Sequence, residues 1–82
     1  MVVEIKTKLR QYREELADPK VSQETIAHQA NLSLHWYRQL ETGQALRTSF
    51  TSAKALLHAL NTEREARHLD RLNLEQLELC IV

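Results

Sequence analysis

Two serines frame the segment that most restricts what this chain can become. Ser22 and Ser33 each stand where a helix can begin, Asn31 lies between them, and the chain's one proline, Pro19, and one glycine, Gly43, lie just outside. A serine hydroxyl accepts a hydrogen bond from a backbone N–H of the first helical turn, so each serine is a good N-cap. Asn tolerates the left-handed conformation of a tight turn, and Gly adopts it at a helix C-terminus. Pro disfavours helix in the residue before it and has no N–H to donate. These residues predict a helix from Ser22 through Ala30, a three-residue turn, and a second helix capped by Ser33 and ended by Gly43. Glu24 falls in the first turn, where the helix dipole favours a carboxylate.

Two helices and a short turn in about twenty residues is the spacing of a helix-turn-helix. The flanking sequence is helical too. Ile5, Leu9, Tyr12 and Leu16 fall at i, i+4, i+7 and i+11, one apolar stripe of a first helix that Ala17-Asp18-Pro19-Lys20 ends. Gln44 to Ser49 reads as a loop. Phe50, Ala53, Leu57 and Leu60 predict a fourth helix, and Thr62-Glu63-Arg64-Glu65 reads as a capping box opening a fifth, with Ala66, Leu69 and Leu72 or Leu74 as its apolar side. The end, Leu77 to Val82, is compatible with more helix, a short strand or a docked tail; the conformation of residues 73–82 stays open. With one Gly and one Pro in 82 residues there are too few turn residues for a many-stranded barrel or sandwich, and the expected fold is all-α, with four to five short helices in one domain.

Composition excludes several functions. Cys80 is the only cysteine, so no internal disulfide and no multi-cysteine metal site can form, which fits a reducing cytoplasm. No window approaches the roughly 20 apolar residues of a membrane span, and MVVEIKTKLR turns charged after two apolar residues, so a soluble, unprocessed chain without a membrane partner is expected. His28, His35, His58 and His68 never sit at i, i+4 on one helix, which speaks against zinc. Ser22, Ser33, Ser49 and Ser52 read as caps or loop residues with no adjacent base, and no Gly-rich phosphate loop exists. Neither an enzyme nor a cofactor is expected.

The net charge of zero is unevenly spread. Residues 1–61 carry eight Lys/Arg and six Asp/Glu, whereas residues 62–82 carry three Arg (Arg64, Arg67, Arg71) against five acids (Glu63, Glu65, Asp70, Glu75, Glu78). The first part is suited to meet an anion and the second to meet protein. On a helical wheel Tyr37 and Leu40 set the inward side of the third helix, with Leu32 beneath. His35, Arg38, Gln39 and Thr42 then face outward, and Leu34 and Trp36 lie on the flanks. Such a row is either a solvated face or a reading surface, because Arg pairs with guanine O6/N7 and Gln with adenine N6/N7.

The segment from Leu9 to Asn61 resembles the Xre-type regulators, the helix-turn-helix family of the phage repressors and Cro proteins. Val21-Ser22-Gln23-Glu24-Thr25-Ile26-Ala27 is similar to the family's LSQEELA, Asn31-Leu32-Ser33 to its G-V-S turn, and Tyr37-Arg38-Gln39-Leu40-Glu41-Thr42-Gly43 to its I-S-x-I-E-x-G. Leu9 to Glu15 is similar to IRELREE, and Ala55 to Asn61 to AKALG. The resemblance implies a lambda-repressor-like domain with the third helix in the major groove of double-stranded DNA. It implies base reading by Gln23, Leu34, His35, Arg38 and Gln39, and phosphate contacts by Ser22, Arg47 and Thr48. Arg13 and Glu41 match a pair that is an internal ion pair in many relatives, which makes Glu41 structural rather than a catalytic acid. Asn31 replaces a turn glycine, the connection at 17–20 is longer than usual, and Trp36 replaces a small residue. That ring either packs against sugar-phosphate, as a phosphate-side residue, or fills a gap in this core.

The expectation is a cytoplasmic, sequence-specific DNA-binding regulator, a repressor that reads a palindromic operator as a homodimer. Residues 1–61 form its DNA-binding part, and residues 62–82 a C-terminal helix and apolar tail for packing or dimerisation. The alternative is an antitoxin, or another helix-turn-helix protein, whose C-terminal segment (Leu74, Leu77, Leu79, Ile81, Val82) holds a partner protein.

Overall fold

The computed structural model describes residues 2–5, 9–17, 19–45, 47–73 and 79–81. In chain order these form β1 (Val2–Ile5), α1 (Leu9–Glu14), α2 (Gln23–Gln29), α3 (Leu34–Thr42), β2 (Arg47–Ser49), α4 (Phe50–Ala66) and β3 (Leu79–Ile81). The fold is mostly helical, with four helices among the described residues and the helix-turn-helix at α2 and α3, as expected.

The caps do what their side chains allow. Ser22 Oγ accepts from Thr25 N at 3.1 Å, Ser33 Oγ from Trp36 N at 3.1 Å, and Ser49 Oγ, at the start of α4, from Ser52 N at 3.0 Å. Asn31 takes φ 58° in the turn and Gly43 takes φ 84° after α3, the left-handed region at both places. α2 packs on α3 and α4, and α1 packs on α3. Leu9, Leu16, Ile26, Tyr37, Leu40, Leu56 and Leu60 are the large, fully buried side chains of the core between them.

Four local expectations are corrected. Ile5 lies in β1 and not on the first helix, which begins at Leu9; Val2, Val3 and Ile5 are β-branched and suit a strand. Residues 47–49, read as loop, are β2. β1 pairs antiparallel with β2, Val3 opposite Thr48, and on its other side with β3, Val3 opposite Ile81, giving a three-stranded sheet in the order β2-β1-β3. This small sheet is an addition to the expected all-α bundle. The buried side of α4 runs through Ala53, Leu56, Ala59 and Leu60, with Leu57 only half-buried. No fifth helix starts at Thr62, because α4 runs unbroken to Ala66 and the Thr62 hydroxyl donates back to the His58 carbonyl at 2.9 Å, as a mid-helix threonine does.

The chain beyond α4 is bound to the domain. Ala66 and Leu69, read as part of an apolar side, are exposed, while Leu72 is buried. Asn61, itself buried, donates from Nδ2 to the Leu72 carbonyl at 3.0 Å and accepts from the Leu72 N–H at 2.7 Å, as a neighbouring strand would. Leu74, Leu77 and Val82 lie outside the described residues.

Arginines at the end of α4 hold the long connection between α1 and α2. Arg67 donates to the carbonyls of Ala17 at 3.1 Å and Pro19 at 2.6 Å, and to the Glu63 carboxylate at 2.8 Å. Glu63 also accepts from Gln29 of α2 at 2.7 Å, and the hydrogen bonds from Gln29 and Arg67 hold its carboxyl below the ordinary range. Arg64 bridges Glu15 at 3.0 Å and the Asp70 carbonyl at 2.6 Å.

Candidate nucleic-acid interface

The outer face of α3 is built by the packing of its inner face. Tyr37 and Leu40 are wholly buried, which turns His35, Arg38 and Thr42 out to solvent with Gln39 half-exposed beside them. Leu34 and Trp36 are half-buried and packed against the core, so the indole fills the margin of this protein's interior. The first turn of α3 carries no acid, and anionic ligands meet no carboxylate there.

Beneath the row lies an ion pair. Arg13 of α1 grips Glu41 of α3 with two hydrogen bonds, Nε to Oε2 at 3.0 Å and Nη2 to Oε1 at 2.8 Å, and its Nη1 donates to the Val21 carbonyl at 3.2 Å. The paired geometry is the strong form of this interaction. Burial alone would raise the Glu41 carboxyl, but the hydrogen bonds it accepts, foremost from Arg13, outweigh that and hold it below its usual range. Tyr37 is packed next to this pair with its hydroxyl buried and unpartnered, and burial together with the Glu41 charge pushes the phenol well above its ordinary value.

Gln23, the first residue of α2, joins the pair to the outer face. Its Nε2 donates to Glu41 Oε1 at 3.0 Å, and its Oε1 accepts from Arg38 Nε at 3.1 Å. Four of the residues singled out from the sequence, Arg13, Gln23, Arg38 and Glu41, thus form one connected group. His35 and Gln39 stand one turn apart on the outward side of α3 without entering it. Ser22 is exposed at the start of α2 with its hydroxyl engaged in capping.

Arg47 and Thr48 belong to β2. Arg47 is exposed, whereas Thr48 is 7% exposed in the middle of the strand. Sequence reasoning overlooked the bridging role of Gln23 and the work of Asn61, Arg64 and Arg67. A signal for Arg67 was present in the long α1–α2 connection, whose carbonyls need donors from elsewhere.

Among the described residues no group of His, Cys, Asp and Glu is placed to hold a metal ion, and no helix is long and apolar enough to cross a membrane. No curated protein and no solved structure matches the chain. A family model described as a helix-turn-helix domain does match, over residues 7–69, which takes in all four helices and the turn between α2 and α3. The chain therefore belongs to the helix-turn-helix domain family, whose fold is that of DNA-binding regulators and is typically non-enzymatic.

Proposed function

We propose that the protein is a sequence-specific transcriptional repressor of the Xre type, acting in the cytoplasm on a palindromic operator as a homodimer. The observation that carries this reading is the outward row of α3, His35, Arg38 and Gln39, set on a helix whose inner side is locked by Tyr37 and Leu40. A helix held this rigidly can present donors and acceptors to base edges in the major groove without reordering. Leu34, at the N-terminal end of the same helix, supplies an apolar contact for a thymine methyl group. Ser22, Arg47 and Thr48 serve as the phosphate contacts, and the half-buried Trp36 offers its exposed part to the sugar-phosphate. Dimerisation is assigned to the C-terminal segment, whose strand β3 occupies an edge of the sheet and can meet its twofold copy.

The test is selection of bound duplexes from a random pool, followed by anisotropy of the enriched duplex against a scrambled one. A palindromic consensus preferred by on the order of 10³ or more supports the reading. Gln39→Ala should then lose about 1–3 kcal/mol on the enriched duplex and little on the scrambled one, while Arg47→Ala weakens both alike. No enrichment refutes the reading and leaves a protein partner, as in an antitoxin, as the remaining use of the domain.

A further inference from the structure

A chain of hydrogen bonds runs from the interior of this protein to its outer face, and its polarity is fixed. Arg13 binds both oxygens of Glu41, Glu41 accepts from Gln23 Nε2, and Gln23 Oε1 accepts from Arg38 Nε. A carboxylate can only accept and a guanidinium can only donate, so the carboxamide between them has one satisfied orientation. Turning it over would set an amide N–H against Arg38 and an amide oxygen against Glu41. Because Arg13 neutralises Glu41 and Gln23 is itself neutral, the Arg38 charge is held in place without being cancelled. Occupation of Nε by Gln23 leaves the Nη1 and Nη2 edge of Arg38 as a donor pair for a guanine O6/N7 edge.

We propose, resting on the reading that α3 enters the major groove, that Gln23 is a positioning residue for Arg38 and not a DNA contact. An unrestrained arginine has many rotamers to lose on binding, and prior alignment removes part of that loss. The device depends on glutamine. Glutamate at position 23 keeps the acceptor for Arg38 but cancels its charge and repels Glu41, whereas an apolar side chain of the same length frees Arg38 altogether.

The experiment uses the full chain and a duplex enriched by the wild-type protein from a random pool, with its scrambled counterpart. Gln23→Met should weaken binding to the enriched duplex about five-fold, the worth of one net hydrogen bond, and reduce the preference over the scrambled duplex by the same factor. In an Arg38→Ala background Gln23→Met should change neither quantity. In the free protein the Arg38 Nε–H NMR signal should shift and exchange faster in Gln23→Met. Gln23→Glu should leave that signal near its wild-type position and lower the salt slope of binding by about one. Additive losses in the double variant overturn the proposal, since Gln23 would then touch DNA itself. Equal losses on both duplexes overturn it as well, by making Gln23 merely structural, as does an Arg38 signal indifferent to Gln23→Met. Failure of the underlying reading shows separately, as wild-type protein that binds neither duplex, and removes the role with it.

Discussion

Replacing Glu41 by glutamine keeps the shape of the side chain and removes its charge, which isolates the contribution of the ion pair beneath α3. In the native protein Arg13 makes two charge-assisted hydrogen bonds to the carboxylate. A carboxamide offers Arg13 one oxygen and sets an N–H against the other donor. One bond of the strong type is thus lost and the other becomes a bond to a neutral group, a loss of about 2–3 kcal/mol. The full 3–5 kcal/mol of a broken, wholly buried pair is not expected. The Arg13 side chain is 17% exposed and keeps the Val21 carbonyl, so it retains some solvation. Urea denaturation near neutral pH should show the loss directly, and melting should fall by on the order of 10–20 °C. The pH dependence is the sharper assay. Because the folded-state carboxyl is held below its unfolded value, the stabilisation is complete above about pH 4.3 and fades as pH falls through the folded value. The carboxamide of the Glu41→Gln variant does not titrate, so the gap between the two proteins should close over that acid range. A gap under about 0.5 kcal/mol at neutral pH, or one that stays constant into acid, refutes the assignment of Glu41 as an ionised, stabilising partner.

Three further outcomes follow from other contacts. Asn61→Asp can still accept from the Leu72 N–H but sets a buried carboxylate against its carbonyl, whereas Asn61→Leu loses both bonds without adding a charge; in urea titrations near neutral pH the first should destabilise by about 3 kcal/mol or more and the second by about 2–3 kcal/mol, and acid should recover stability in the first alone. A loss in Asn61→Asp that acid leaves unchanged would mean that Asn61 acts by volume alone. Arg67→Met keeps the buried stem and frees the Ala17 and Pro19 carbonyls, so it should cost about 2 kcal/mol and speed amide exchange at Leu16, Ala17, Lys20 and Val21 ahead of the helices. Uniform faster exchange across the chain would contradict a local clamp. Tyr37→Phe removes a buried hydroxyl without a partner and should leave stability unchanged or raise it by about 1 kcal/mol; a loss larger than that would show that the phenol donates to Glu41.

What could be read from the chain was what neighbours in sequence decide. Ser22, Ser33, Asn31 and Gly43 act on backbone groups within one turn of themselves, so their chemistry announces the helix-turn-helix without knowledge of the rest. The inward side of α3 followed from spacing alone, and the resemblance directed attention to Arg13 and Glu41. The strands were hidden for the opposite reason, since residues 47–49 are extended only because β1 lies beside them. Thr62 failed as a helix start although its local pattern was right. Asn61 and Arg64, on either side of it, are buried by tertiary contacts that keep the helix going. The partners of Arg64 and Arg67 include backbone carbonyls, which no side-chain pattern reveals. The role of Gln23 was obscured in the same way, as its two partners lie 15 and 18 residues away.

The sheet has a consequence for how the molecule assembles and comes apart. Even the long α1–α2 connection is short beside the span that separates Val3 from Ile81, which pair across almost the entire chain. Closing so long a loop costs entropy that only the finished pairing repays, so it belongs late in folding, after the helical unit has brought the strands together. In the reverse direction the short outer strand β3 is the cooperative unit with least to lose. The native ensemble should hold a minor form in which β3 has left β1 while all four helices, and the face of α3, stay intact.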